Sequence, residues 1–133
     1  MSQVLDHVSI AVRDLDAARP FYDVVMHALG VRKVWDRADG IGYGERNGPS
    51  DDSHSFVTVL MSAHASADER RHWCFRAQSR AAVDRFHAGG LAAGGRDAGA
   101  PGLRPQYHAS YYGAFLYDPS GNKIEAVCNR DSA

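Results

Sequence analysis

Displaced by 65 positions, the chain lies over itself. Asp6-His7-Val8-Ser9-Ile10 falls on Arg71-His72-Trp73-Cys74-Phe75. The same ungapped shift pairs Ala17 with Ala82, Phe21 with Phe86, Met26 with Leu91 and Gly30 with Gly95. Each copy reads as a strand headed by histidine, a turn, an amphipathic helix and a glycine where the helix stops. A chain of 133 residues built this way holds two similar units, and no linker in it is long enough to make them independent domains.

Alternation defines the strands. Val8, Ile10 and Val12 point one way and His7, Ser9 and Ala11 the other; Trp73, Phe75 and Ala77 oppose His72, Cys74 and Arg76. Asp14 or Asp16 caps the first helix, whose stripe is Phe21, Val25 and Leu29. Pro20 is compatible with that helix if Asp16 is the cap, because early helical N–H groups lack partners. Ser79 caps the second, with Val83, Phe86 and Leu91 as its stripe. Val31–Asp36 and Ile41–Gly44 form a hairpin, and Ser55–Met61 a further strand. After the second helix, Arg96–Pro105 reads as a glycine- and proline-rich loop. Tyr111–Tyr117 and Lys123–Val127 are then strands joined by the turn signal Asp118-Pro119-Ser120-Gly121-Asn122. The expected fold is α+β, with one domain over 1–133: module 1 spans about 1–63 and module 2 about 70–130.

Composition narrows the function. Fifteen basic and sixteen acidic side chains give a formal net charge of −1, without the basic excess of a nucleic-acid module. No apolar run approaches the ~20 residues that span a bilayer. The N-terminus has neither a basic start nor a hydrophobic core, so a secretory signal is not expected. With two unpaired cysteines, these features predict a cytoplasmic protein with no nucleic-acid or membrane partner.

Seven histidines are the compositional hint of chemistry. On the last strand Ile124, Ala126 and Cys128 suit the helix side, which turns Lys123, Glu125 and Val127 toward the face that carries His7 and His72. Two neutral imidazoles and a carboxylate, with room for water, suit a divalent transition metal: Fe2+, Mn2+, Ni2+ or Zn2+. By the same parity Tyr111 points at a substrate, and His108 in the preceding loop is a candidate acid, base or supporting donor. Cys74 reads as an inert core residue, and His27, His64 and His87 as surface.

The stretches Asp6-His7-Val8-Ser9-Ile10-Ala11-Val12-Arg13-Asp14-Leu15, Phe21-Tyr22, Leu29-Gly30, His72-Trp73-Cys74-Phe75 and Asp118 through Ala126 resemble the vicinal oxygen chelate superfamily. That superfamily includes glyoxalase I, extradiol dioxygenases, fosfomycin thiol transferases and bleomycin-binding proteins. The resemblance implies two βαβββ modules whose sheets curve around a metal held by His7, His72 and Glu125. Phe56-Val57-Thr58-Val59-Leu60 offers no carboxylate at the fourth ligand position of glyoxalase I, which Thr58 fills. The implied activity is that of a metal-dependent enzyme chelating vicinal oxygens of a small substrate, dioxygenase- or lyase/isomerase-like. The alternatives are a fosfomycin-type thiol transferase and a non-enzymatic bleomycin-type binding protein. The resemblance also implies a homodimer in which His7 of one subunit meets His72 and Glu125 of the other. Arg96–Ser110 is expected to be a mobile rim from which Arg104 or His108 orients an anionic substrate.

Overall fold

A computed structural model describes residues 3–131. Two four-stranded sheets, each with one helix, follow the repeat. The first unit comprises β1 (His7–Val12), α1 (Leu15–Ala28), β2 (Lys33–Arg37), β3 (Gly40–Gly44) and β4 (Phe56–Met61). The second comprises β5 (His72–Arg76), α2 (Arg80–Ala92), β6 (Arg96–Leu103), β7 (Tyr112–Tyr117) and β8 (Lys123–Cys128). Sheet orders are β1-β4-β3-β2 and β5-β8-β7-β6, with the first pair of each parallel and the others antiparallel. This is the expected α+β arrangement of two βαβββ modules. Among the described residues no helix is long and apolar enough to cross a membrane.

Each helix covers the apolar face of its own sheet, and the helices also pack on each other. One continuous core results, holding Ile10, Val12, Phe21, Tyr22, Val25, Val59, Val83, Phe86, Leu116, Ile124 and Ala126. The stripe on α1 is as expected. On α2, Leu91 is instead exposed, because the helix turns its glycines rather than Leu91 toward α1. A Cβ on Gly90 would meet Leu116, Val25 and Phe21. Glycine inside a helix costs about 1 kcal/mol relative to alanine, and close helix contact offsets that cost.

Local chemistry explains the helix ends. Asp14 caps α1 by accepting from the Ala17 N–H at 3.1 Å, and Ser79 accepts from the Ala82 N–H at 3.1 Å. Since Asp14 and not Asp16 is the cap, Pro20 lies within α1 rather than at its very start. The two terminal glycines of the repeat do different work. Gly30 takes the left-handed conformation at φ 74°, whereas in the second copy that role falls to Gly94, at φ 105°. Gly95 is required for space: a Cβ there would sit 2.4 Å from the Phe21 ring and 2.9 Å from the Gly90 carbonyl.

Arg96–Leu103, expected as a loop and rim, is an edge strand paired with β7. Its glycines and Pro101 fall where the register shifts, between Asp97 and Gly99 and between Gly99 and Gly102. An edge strand tolerates proline there because it need supply no N–H to a second neighbour. His87 also departs from expectation. It is 8% exposed, its Nε2 lying 2.8 Å from Asp97 Oδ1, so the α2 face that it occupies turns toward β6 rather than solvent.

The turn after β7 is a joint between the modules. The Asp118 carboxylate, 1% exposed, accepts from Tyr22 Oη at 2.6 Å, from the Ser120 and Asn122 N–H groups and from Asn122 Nδ2. Asn122 Nδ2 also donates to the Ala11 carbonyl of β1 at 2.9 Å. Burial, followed by the Asp118 carboxylate, pushes the Tyr22 phenol well above its ordinary pKa, so it remains a donor.

Two outcomes follow. Tyr22→Phe leaves a buried carboxylate short of one donor and should cost about 1.5–3 kcal/mol in urea unfolding. Gly95→Ala should cost about 1–3 kcal/mol by overpacking against Phe21, although alanine restricts the unfolded chain more than glycine does.

Candidate functional site

The faces of the sheets opposite the helices carry the polar side chains. Register places Ser9, Thr58, Gly42 and Trp35 in one row across the first sheet. In the second sheet the row is Cys74, Glu125, Phe115 and Gly99. Thr58 and Glu125 therefore occupy matching positions, as do Ser9 and Cys74. In the first sheet the pair closes on itself, with the Ser9 and Thr58 hydroxyls 2.7 Å apart.

In the second sheet the matching position holds chemistry. Glu125 is 2% exposed, and its Oε1 lies 3.1 Å from His72 Nε2. Its other oxygen, Oε2, accepts from the Tyr111 hydroxyl. Burial and this carboxylate push the phenol of Tyr111 well above its usual pKa, which keeps the proton on tyrosine. Tyr111 thus reaches Glu125 rather than open space. That contact occupies one carboxylate oxygen, and the other faces His72.

Cys74, expected in the core, is exposed on this face instead. Crowding around its sulfur and the nearby Glu125 charge push the thiol up to about 12, so it stays protonated at neutral pH. His108 lies apart from the carboxylate. Its Nδ1 accepts from the Ser110 N–H at 3.1 Å, and its Nε2 donates to Asn129 Oδ1 at 2.9 Å. It meets the site only by packing edge-on against Tyr111, with centroids 5.5 Å apart.

His7 stands on the other sheet with 56% of its side chain exposed. Its Nδ1 is 2.7 Å from Asp6 Oδ2, and Asn47 Nδ2 holds the second Asp6 oxygen at 2.6 Å. The hydrogen bond from His7, followed by that from Asn47, keeps the Asp6 carboxyl below the usual range. A carboxylate on Nδ1 fixes the tautomer that leaves Nε2 with its lone pair outward, the arrangement common behind metal-bound histidines. Among the described residues no three His, Cys, Asp or Glu side chains of one chain gather closely enough to hold a metal ion. His72 and Glu125 are thus brought together, and His7 is not joined to them within the chain.

A fit to a divalent cation can be judged from the donors. His72 and Glu125 form a converging nitrogen–oxygen pair, each with its rear braced or buried, and His7 presents an oriented imidazole. Those are suitable ligand types, divided two and one between the sheets. A separate cleft of about 290 Å³ runs along the module seam, lined by Ser9, Ser62, His64, Arg71, Trp73 and Asn122 among others. It includes none of the three.

Sequence reasoning missed Asp6 as the residue orienting His7, though adjacency and charge are visible in the chain. Lys123, expected on the Glu125 face, is the register partner of His72, with its Nζ 5.2 Å from the Phe115 centroid.

Comparison with known proteins gives the same architecture. An uncharacterized protein of Pseudomonas aeruginosa is 32% identical, the match covering 94% of this chain and 88% of that one. A glyoxalase/bleomycin resistance protein from Albidiferax ferrireducens superposes with a TM-score of 0.80 at 29% identity, covering 95% and 99% of the two chains. A lactoylglutathione lyase from Agrobacterium tumefaciens shares the fold, with a TM-score of 0.59 at 20% identity over 96% and 94%. The family model of the Glyoxalase/Bleomycin resistance protein/Dioxygenase superfamily matches residues 4–126, and the chain belongs to that superfamily.

Proposed function

We propose that the protein is a metal-dependent enzyme of the glyoxalase/dioxygenase type that works as a homodimer. His72 and Glu125 of one subunit and His7 of the other hold one divalent cation, Fe2+, Mn2+, Ni2+ or Zn2+. The observation that carries this reading is the division of well-prepared ligands: a braced His–carboxylate pair on one sheet and an Asp6-oriented histidine on the other. Two ligands are too few to compete with water and buffer, so a stable site needs the third. A twofold dimer supplies it twice, by placing the first sheet of each subunit against the second sheet of its partner.

When bound, the cation supplies Lewis-acid or oxygen-activating chemistry to vicinal oxygens of a small substrate. The chain's own groups do the rest. Tyr111 restrains Glu125 Oε2, Asp6 restrains the His7 ring, and the Phe115 side chain walls the second sheet beside His72, 5.9 Å from its ring. His108 stands behind Tyr111 as a supporting group. Cys74 lies on the same face, as the register partner of Glu125. A bleomycin-type sequestering role would have no use for three oriented ligand side chains.

His7→Ala, His72→Ala and Glu125→Ala should each lose most bound metal by elemental analysis while keeping the far-ultraviolet circular dichroism of the parent. Thr58→Ala should retain it. Metal binding should also weaken as pH falls toward the ~6.5 reference value of histidine, because a protonated imidazole cannot coordinate. Full occupancy in His72→Ala would end the three-ligand reading.

Mixing tests the division between subunits. A heterodimer of His7→Ala and His72→Ala chains contains one wholly intact site and one lacking both histidines. Reassociation should therefore restore about one metal per heterodimer. No recovery, or a metal-replete monomer in light scattering, would show that the ligands are not shared between chains.

A further inference from the structure

The connection between β3 and β4 has an order of its own. Gly48 and Asp51 exchange backbone hydrogen bonds at its tip, at 2.9 and 3.3 Å. At its base the Glu45 N–H donates to the Ser55 carbonyl at 3.1 Å. The His54 ring closes it from one side, with Nε2 3.2 Å from Glu45 Oε2 and 3.0 Å from Asp51 Oδ2. Between tip and base stands Asn47, half-buried in an otherwise exposed run from Glu45 to Ser53.

The Asn47 amide is fully engaged. Its Oδ1 accepts from the His54 N–H at 2.8 Å. Its Nδ2 donates to the His54 carbonyl at 2.9 Å and to Asp6 Oδ1 at 2.6 Å. The side chain thus pairs with the His54 backbone as a neighbouring strand would, and its remaining N–H goes to Asp6. The amide has one usable orientation. Turned over, it would set an oxygen against two acceptors and a nitrogen against a donor.

Asp6 needs such a partner. Its side chain is 62% exposed and that of His7 56%. An exposed pair of this kind holds its geometry weakly, because water competes for both members. Here the His7 ring takes Asp6 Oδ2, at 2.7 Å from Nδ1, and Asn47 takes Oδ1. With both oxygens tied, the carboxylate is kept from swinging into solvent. The ring that leans on it keeps its proton on Nδ1 and its Nε2 lone pair outward.

We propose that Asn47 is a positioning residue for the metal centre: clasped by the backbone of His54, it fixes Asp6, and Asp6 fixes the tautomer of His7. This rests on the proposed function in taking His7 as a ligand, whereas the tautomer is a property of the metal-free chain. The β3–β4 connection is then part of the first sheet's half-site, although Asn47 is itself no ligand.

The test reads the His7 ring directly. In metal-free protein, at a pH where the ring is neutral, its nitrogen NMR shifts distinguish the Nδ1–H from the Nε2–H tautomer. The parent should be mostly Nδ1–H. Asn47→Ala and Asn47→Asp should each move the ring toward a mixture of the two. Both should also lower zinc affinity about tenfold in competition with a chelator. The aspartate variant keeps the side chain's shape and its acceptor for the His54 N–H, so its effect reports the lost donors. Asp6→Ala should give the same tautomer mixture, and adding Asn47→Ala to it should change neither readout further. Ser53→Ala removes a 2.6 Å hydroxyl bond to Asp51 in the same loop and should leave both readouts at parent values.

An Nε2–H ring in the parent, or an Nδ1–H ring that survives in both Asn47 variants, would overturn the role. So would parent-like zinc affinity in those variants, a further loss in the Asp6→Ala/Asn47→Ala chain, or an equal loss in Ser53→Ala. Failure of the parent to take up zinc would instead count against the metalloenzyme reading, and the tautomer comparison would still decide what Asn47 does.

Discussion

A single buried carboxylate holds the two modules in relation to each other. Asp118 has no solvent to hydrate its charge, and four donors take the place of water: the Tyr22 phenol, two backbone N–H groups of the turn and the Asn122 amide. One of these comes from α1, so the first module's helix is tied to the second module's turn. Asn122 extends the tie to the β1 carbonyl of Ala11. A buried charge with its partners present is tolerable, and with one removed it is costly, which makes such a joint specific to one geometry. Both candidate half-sites lie on strands that this joint positions. β8, which carries Glu125, begins immediately after Asn122, and β1, which carries His7, runs past its amide.

The joint also accounts for how the modules meet. Packing α1 on α2 through Gly89 and Gly90 buries the apolar faces of both units in one core and leaves the opposite sheet faces uncovered. Those faces hold what the core could not accept: an Asp-braced histidine on one, and a His–Glu–Tyr group on the other. The repeat has diverged where it matters. At matched positions the first sheet holds a self-satisfied Ser9–Thr58 pair and the second holds Cys74 beside Glu125.

Much of this was legible in the chain. Strand parity alone put His72 and Glu125 on one face, because a β-strand turns successive side chains to opposite sides whatever its surroundings. The cap at Ser79 and the turn at Asp118–Asn122 were readable because they depend on local hydrogen bonds. The failures share a cause. Arg96–Leu103 reads as a loop because its glycines and proline oppose regular strand, yet an edge position beside β7 accommodates them. Cys74 and His87 were assigned the wrong environments for a similar reason. Exposure depends on which element lies opposite, and that is not a local property.

The sequence by itself therefore determined the repeat, the order of its helices and most of its strands, the faces of those strands and the residue types able to bind a cation. These follow from periodicity and short-range hydrogen bonding, which act within a few residues. Tertiary structure alone decided that Tyr111 meets Glu125, that His87 meets Asp97 and that Tyr22 reaches Asp118. Such relations arise from how two helices pack and where one buried carboxylate finds its donors, and those distances join residues far apart in the chain.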